Sequence, residues 1–80
     1  VTGGLPRGVS GKQTVAALER AGFRPVRTKG DHQILKHPRP RPGFYGMVAV
    51  PLHRELAVGT LSGILRRIGM PVDEFRKLLR

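Results

Sequence analysis

Residues 29–37, Lys29-Gly30-Asp31-His32-Gln33-Ile34-Leu35-Lys36-His37, are the stretch around which the rest of the chain is organised. Gly30 suits the positive φ that a tight hairpin needs, so Lys29-Gly30-Asp31 reads as a turn. His32 to Lys36 then forms a strand. Alternation sets His32, Ile34 and Lys36 on one face and Gln33 and Leu35 on the other. Ahead of the turn, Phe23-Arg24-Pro25-Val26-Arg27-Thr28 has strand character, and Pro25, which lacks a donor, marks an edge or an irregular start. An antiparallel hairpin is expected, its turn delivering a histidine to the first position of the second strand.

Before the hairpin, Ser10-Gly11-Lys12-Gln13 is an S-x-x-Q capping box. Behind it Val15, Leu18 and Ala21 make an apolar stripe with Ala17 beside it, and Gly22 suits the left-handed position that ends a helix. This predicts a helix over 11–21. Residues 1–9, with three glycines and a proline, are expected to be a flexible N-terminal arm carrying Arg7, and 10–80 a single domain. After the hairpin, His37 to Gly46 is a long loop whose alternating prolines favour extended backbone. Met47-Val48-Ala49-Val50-Pro51 is an apolar strand, expected to be the central or best-buried one. Leu61, Ile64, Leu65 and Ile68 follow i, i+3, i+4, i+7 spacing, the strongest helical signal here, with Thr60 as the expected cap and Gly69 as the stop. Pro71 opens a short last helix with Asp73 and Glu74 in its first turn and Val72, Phe75, Leu78 and Leu79 on its apolar side. The order α-β-β-β-α-α predicts an α+β fold, a small antiparallel sheet with helices against one face.

Composition narrows the function. Eighty residues bury only about 60% of the unfolded surface, which leaves no room for a deep substrate cavity plus a cofactor fold. The chain has no cysteine, which excludes a disulfide framework and thiolate metal sites. No apolar run nears the roughly 18 residues of a membrane helix, and no signal peptide or membrane contact is expected. Fifteen Lys and Arg against five Asp and Glu give a formal charge of +10. Such density on a small domain points to a polyanion or an acidic partner.

Among the candidate residues, His32 stands out. It sits at a turn–strand junction beside Lys29 and near Lys36. An imidazole that titrates near neutrality can move a proton, and neighbouring cations can hold a phosphate. Asp31 acts on His32 through space or is simply a turn residue. His37 precedes a proline and marks a loop. His53 contacts a ligand or caps the following turn. The three histidines lack metal-ligand spacing and matched carboxylates, so no metal and no cofactor is expected. Ser10-Gly11-Lys12-Gln13 fails the phosphate-loop pattern, yet Lys12 at a helix start can meet phosphate. Phe44 and Tyr45 stack on bases or cover the sheet edge. Arg66-Arg67 and Arg76-Lys77-Arg80 lie on solvated helix faces and serve either a nucleic acid or an acidic protein.

Several of these stretches together resemble the HicA-type toxins. Ser10-Gly11-Lys12 and Ala21-Gly22-Phe23 are similar to that family's first helix. Lys29-Gly30-Asp31-His32 is similar to its Gly-Ser-His turn. Val50-Pro51 with His53, and Gly59-Thr60-Leu61 through Ile64-Leu65-Arg66 to Gly69, resemble its third strand and second helix. The likeness spans roughly residues 5–80 and departs at two points: Asp31 stands where Ser is common, and the Pro/Arg-rich loop at 38–46 is longer. The resemblance implies a double-stranded-RNA-binding-domain-like α-β-β-β-α fold, here with an extra short C-terminal helix. It implies a toxin of a type II toxin–antitoxin system, an endoribonuclease that cleaves mRNA in the bacterial cytoplasm and is restrained, as a hetero-oligomer, by a HicB antitoxin. It also implies His32 as the catalytic residue on a turn formed by Gly30 and Asp31.

With that likeness, RNA chemistry assigns Lys12, Arg27, Lys29 and Lys36 to phosphate binding and makes the expected cleavage metal-independent. The rival expectation is a non-catalytic module that binds structured RNA by shape, as domains of this fold class commonly do. A third is a regulatory protein whose basic surface only docks an acidic partner. Cleavage of RNA by the purified protein separates the first from the others.

Overall fold

The computed structural model describes residues 5–79. Three helices and three strands follow in the order α1 (Gly11–Arg20), β1 (Arg24–Lys29), β2 (His32–Lys36), β3 (Met47–Pro51), α2 (Val58–Ile68) and α3 (Val72–Leu78). The architecture is α+β, with a three-stranded antiparallel sheet ordered β1-β2-β3 and the further C-terminal helix after α2.

Local chemistry accounts for the boundaries. The Ser10 hydroxyl accepts from the Gln13 N–H at 3.0 Å, and the Gln13 side chain accepts from the Ser10 N–H at 2.9 Å, so the capping box is complete. Gly22, at φ +103°, turns the chain out of α1. Gly30, at φ +60°, takes the first place of the two-residue turn between Lys29 and His32, as type II′ turns demand. α2 begins at Val58, with Ala57 as its cap residue and no side-chain cap bond, so Thr60 lies inside the helix and is not its cap. The Leu61 N–H donates to the Ala57 carbonyl at 3.0 Å, which draws residues 58–60 into the first turn.

Register defines two unlike sheet faces. Leu35 lies opposite Val48 and Gln33 opposite Val50. This face meets the helices, and Leu35, Val48 and Val50 are buried. They join Leu18, Leu61, Ile64, Leu65, Ile68 and Phe75 in one core. On α1 the core face centres on Thr14, Ala17 and Leu18, with Val15 only partly buried. Thr14 tolerates full burial because its hydroxyl donates to the Ser10 carbonyl. β3 is an edge strand, and β2 is the central one. The apolar run at 47–50 reflects alternation, with Met47 and Ala49 exposed and α2 packed against the strand.

The other face is open. Lys29 lies opposite His32, Arg27 opposite Ile34, and Arg24 opposite Lys36, with a bulge between Pro25 and Arg27. Residues directly opposite share a face, so three cations of β1 stand alongside His32, Ile34 and Lys36. Of the expected N-terminal arm, residues 1–4 lie outside the described residues. Val9 is buried and its carbonyl accepts from the Leu56 N–H, and Leu5 packs against the core.

The long loop is strapped down. Arg41 donates to both carboxylate oxygens of Glu74 at 2.6 and 2.7 Å and to the Gly69 carbonyl. The Arg67 guanidinium sits 4.1 Å over the Tyr45 ring, and Phe44 lies against Gly69. Both aromatics therefore fold toward the end of α2. His37 Nδ1 accepts from the Arg39 N–H, so its Nε2 carries the proton and donates to the Ala21 carbonyl at 3.1 Å. That imidazole ties the loop to the end of α1.

Candidate active site

The hairpin turn carries Asp31 and His32 to one end of the open face. Pro51 lies opposite His32, so the chain leaving β3 passes the same end two residues before His53. Backbone bonds pin this passage from two sides. The Leu52 N–H donates to the Asp31 carbonyl at 2.6 Å, and the Gly11 N–H donates to the His53 carbonyl at 2.9 Å. The second bond uses a helix-start donor that has no partner within α1. It also explains the glycine: a Cβ at position 11 would lie 2.0 Å from the Pro51 carbonyl oxygen.

Three side chains meet there. His32 Nδ1 is 2.8 Å from one carboxylate oxygen of Asp31, and His53 Nε2 is 2.9 Å from the other. An ionised carboxylate only accepts, so both of these ring nitrogens carry protons. His32 Nε2 and His53 Nδ1 are left without a hydrogen-bond partner among the described residues. The bond from His53 is the largest influence holding the Asp31 carboxyl below its ordinary value of 3.8, with His32 adding to it against some desolvation. Asp31 is thus a carboxylate at neutral pH. All three side chains are roughly half exposed, which leaves them open to a large ligand.

The remaining candidates divide by distance. Lys29 is directly opposite His32, and Arg27 is one pair further along. Lys36 shares the face but lies four residues on, about 13 Å away at the usual strand rise. Lys12 is exposed on the first turn of α1, the helix whose first residue bonds the His53 carbonyl. The open face continues into a groove between Ile34, Met47 and Ala49 of the sheet and Thr60, Gly63 and Arg67 of α2. Among the described residues no group of three or more His, Cys, Asp or Glu is disposed to hold a metal ion. The Asp31 oxygens and one nitrogen of each ring already serve one another.

Sequence reasoning undervalued His53. It is 21 positions from His32, and only the β2–β3 register brings the two together. The available signal was Pro51 closing β3, which places residue 53 just past the strand end at the turn.

Fold and site together define a small basic α+β domain with an imidazole–carboxylate cluster at the end of an open sheet. The family described as HicA toxin of bacterial toxin–antitoxin matches residues 11–70. The chain belongs to this family, and is therefore the toxin partner of an antitoxin. A sequence search of curated proteins gives no match. No helix among the described residues is long and apolar enough to cross a membrane.

Proposed function

We propose that this toxin is a metal-independent endoribonuclease that cleaves mRNA in the bacterial cytoplasm, with His32 as its catalytic residue, and that its antitoxin is of HicB type. The observation that carries this is the placement of His32: on an open cationic face, its ring steadied by Asp31 through Nδ1, its Nε2 without a hydrogen-bond partner among the described residues. RNA brings its own nucleophile in the 2′-hydroxyl. Because Nδ1 holds the proton shared with Asp31, Nε2 of the neutral ring has a lone pair to take the hydroxyl proton. Lys29 and Arg27 stabilise the charge that builds on the phosphate. Lys36 continues the cationic track along the sheet, and Lys12 adds to it from the helix start. Gly30 shapes the turn and Asp31 orients the ring. The antitoxin silences the toxin by covering this face and His32.

Purified toxin incubated with mRNA in excess chelator tests the proposal. The wild type is expected to produce fragments. His32→Ala is expected to stay folded, bind RNA nearly as well, and cleave slower by roughly 10²–10⁴. Undiminished cleavage by the folded variant would remove His32 from the mechanism. Loss of cleavage on chelation would refute metal independence. Binding without cleavage by the wild type would identify a non-catalytic RNA-binding module.

A further inference from the structure

We infer that His53 is a second catalytic residue, the general acid that protonates the leaving 5′-oxygen while His32 removes the 2′-proton. This rests on the ribonuclease function proposed above and deepens it. The loop bearing His53 is held by backbone bonds at Leu52 and by its own carbonyl, neither of which uses the imidazole. The ring is more than half exposed, and its hydrogen bond is to Asp31. A side chain that fills no core, on a segment already held by backbone bonds, is nonetheless placed against the carboxylate that holds His32.

Charge explains why one carboxylate between two imidazoles suits acid–base work. Asp31 balances one positive charge. With one ring neutral and the other protonated, the cluster is neutral overall. Cleavage uses the state with one ring neutral and the other protonated, in which the nitrogens not bonded to Asp31 are one acceptor and one donor. Transesterification needs that pairing, since a strongly basic alkoxide leaves poorly unless protonated.

The step balances as follows. The 2′-oxygen forms a bond to phosphorus as His32 Nε2 takes its proton. The bond from phosphorus to the 5′-oxygen breaks, and that oxygen takes the proton from His53 Nδ1. The products are a 2′,3′-cyclic phosphate and a free 5′-hydroxyl. His32 ends protonated and His53 neutral, and exchange with solvent restores the starting state. No metal, water or redox partner enters.

The test uses two RNA substrates identical but for one scissile linkage, an ordinary 5′-oxygen in one and a bridging 5′-sulfur in the other. A thiolate leaves without protonation, so loss of a general acid slows only the oxygen substrate. His53→Ala is expected to lose roughly 10²–10⁴ in rate on the oxygen linkage and little on the sulfur linkage. His32→Ala is expected to lose rate on both. His53→Gln, which keeps a hydrogen-bond donor to Asp31, should match His53→Ala, with melting temperatures checked for all three. Equal losses by His53→Ala on both substrates, or rescue by His53→Gln, would make His53 a positioning residue and overturn the inference. So would wild-type rates on the oxygen linkage. A wild-type protein that cleaves neither substrate would instead refute the ribonuclease function itself.

Discussion

Gly11→Ala sets two known effects against each other. Alanine favours helix over glycine by about 0.5–1 kcal/mol, so helix propensity alone predicts a stabler protein. The structure predicts the reverse. The new methyl would start 2.0 Å from the Pro51 carbonyl oxygen and 2.7 Å from the Leu52 Cα, where ordinary contact begins near 3.4 Å. All the obstructing atoms are backbone, so no side chain can swing aside. The start of α1 and the 51–53 segment must separate by more than 1 Å, which also strains the bond from the Gly11 N–H to the His53 carbonyl. Overpacking costs about 1–3 kcal/mol and the weakened hydrogen bond about 1 kcal/mol more. After the helix gain, a net loss of about 1–3 kcal/mol remains. Two kcal/mol would lower the melting temperature by roughly 8–16 °C in a domain this small. The same shift moves His53 relative to Asp31, and a misplacement of that size can cost about 10² in rate. Urea unfolding and single-turnover RNA cleavage read both effects. A variant as stable and as fast as the wild type would show that α1 does not hold this loop in place.

Asp31→Asn tests the carboxylate through pH. Because folding lowers the Asp31 pKa, its stabilising contribution is present above the ordinary value of 3.8 and fades as pH falls through the folded value. The stability difference between wild type and variant, followed by urea unfolding, should therefore exist near neutrality and close in acid. Phe75, fully buried, fastens α3 to the core, so Phe75→Ala should cost about 3–5 kcal/mol by the same assay. RNA affinity should fall steeply with salt, with a slope near −3.5 if about five phosphates are neutralised, and Arg27→Ala should make it shallower by about 0.7. A slope near zero would argue against a polyanion ligand.

What could be read from the sequence follows from how local each signal is. The capping box, the Gly30 turn and the Leu61-Ile64-Leu65-Ile68 stripe are written within a few residues, and each stands as expected. The bounds of β2 and β3 were equally plain, because turn residues and prolines frame them. Strand order was not. Apolar character at Met47–Val50 suggested a central or best-buried strand; β3 is an edge strand, yet with α2 against it Val48 and Val50 make it the strand with most buried residues. The Thr60 cap misled because side-chain chemistry marks only capped starts, and α2 begins without one. At the site, His32, Asp31 and Lys29 were visible because one turn gathers them. His53 was legible as a contact or a cap, but its approach to Asp31 was not, since that depends on register across two strands and on a glycine contact from a third element.

The edges of the sheet bear on how the toxin can be gripped. β1 is wholly exposed on its outer side, the usual invitation for a foreign strand to extend a sheet. Here Pro25 lacks a donor, the bulge near Val26 breaks the spacing, and Arg24, Arg27 and Lys29 crowd the strand with like charge. At the far edge α2 packs against β3, and Arg67 donates to the Met47 carbonyl at 3.0 Å. Neither border offers an unbroken backbone template. Stacking of copies through the sheet border is therefore disfavoured, and an inhibitor is expected to hold the toxin chiefly through side chains and acidic charge rather than by completing its sheet.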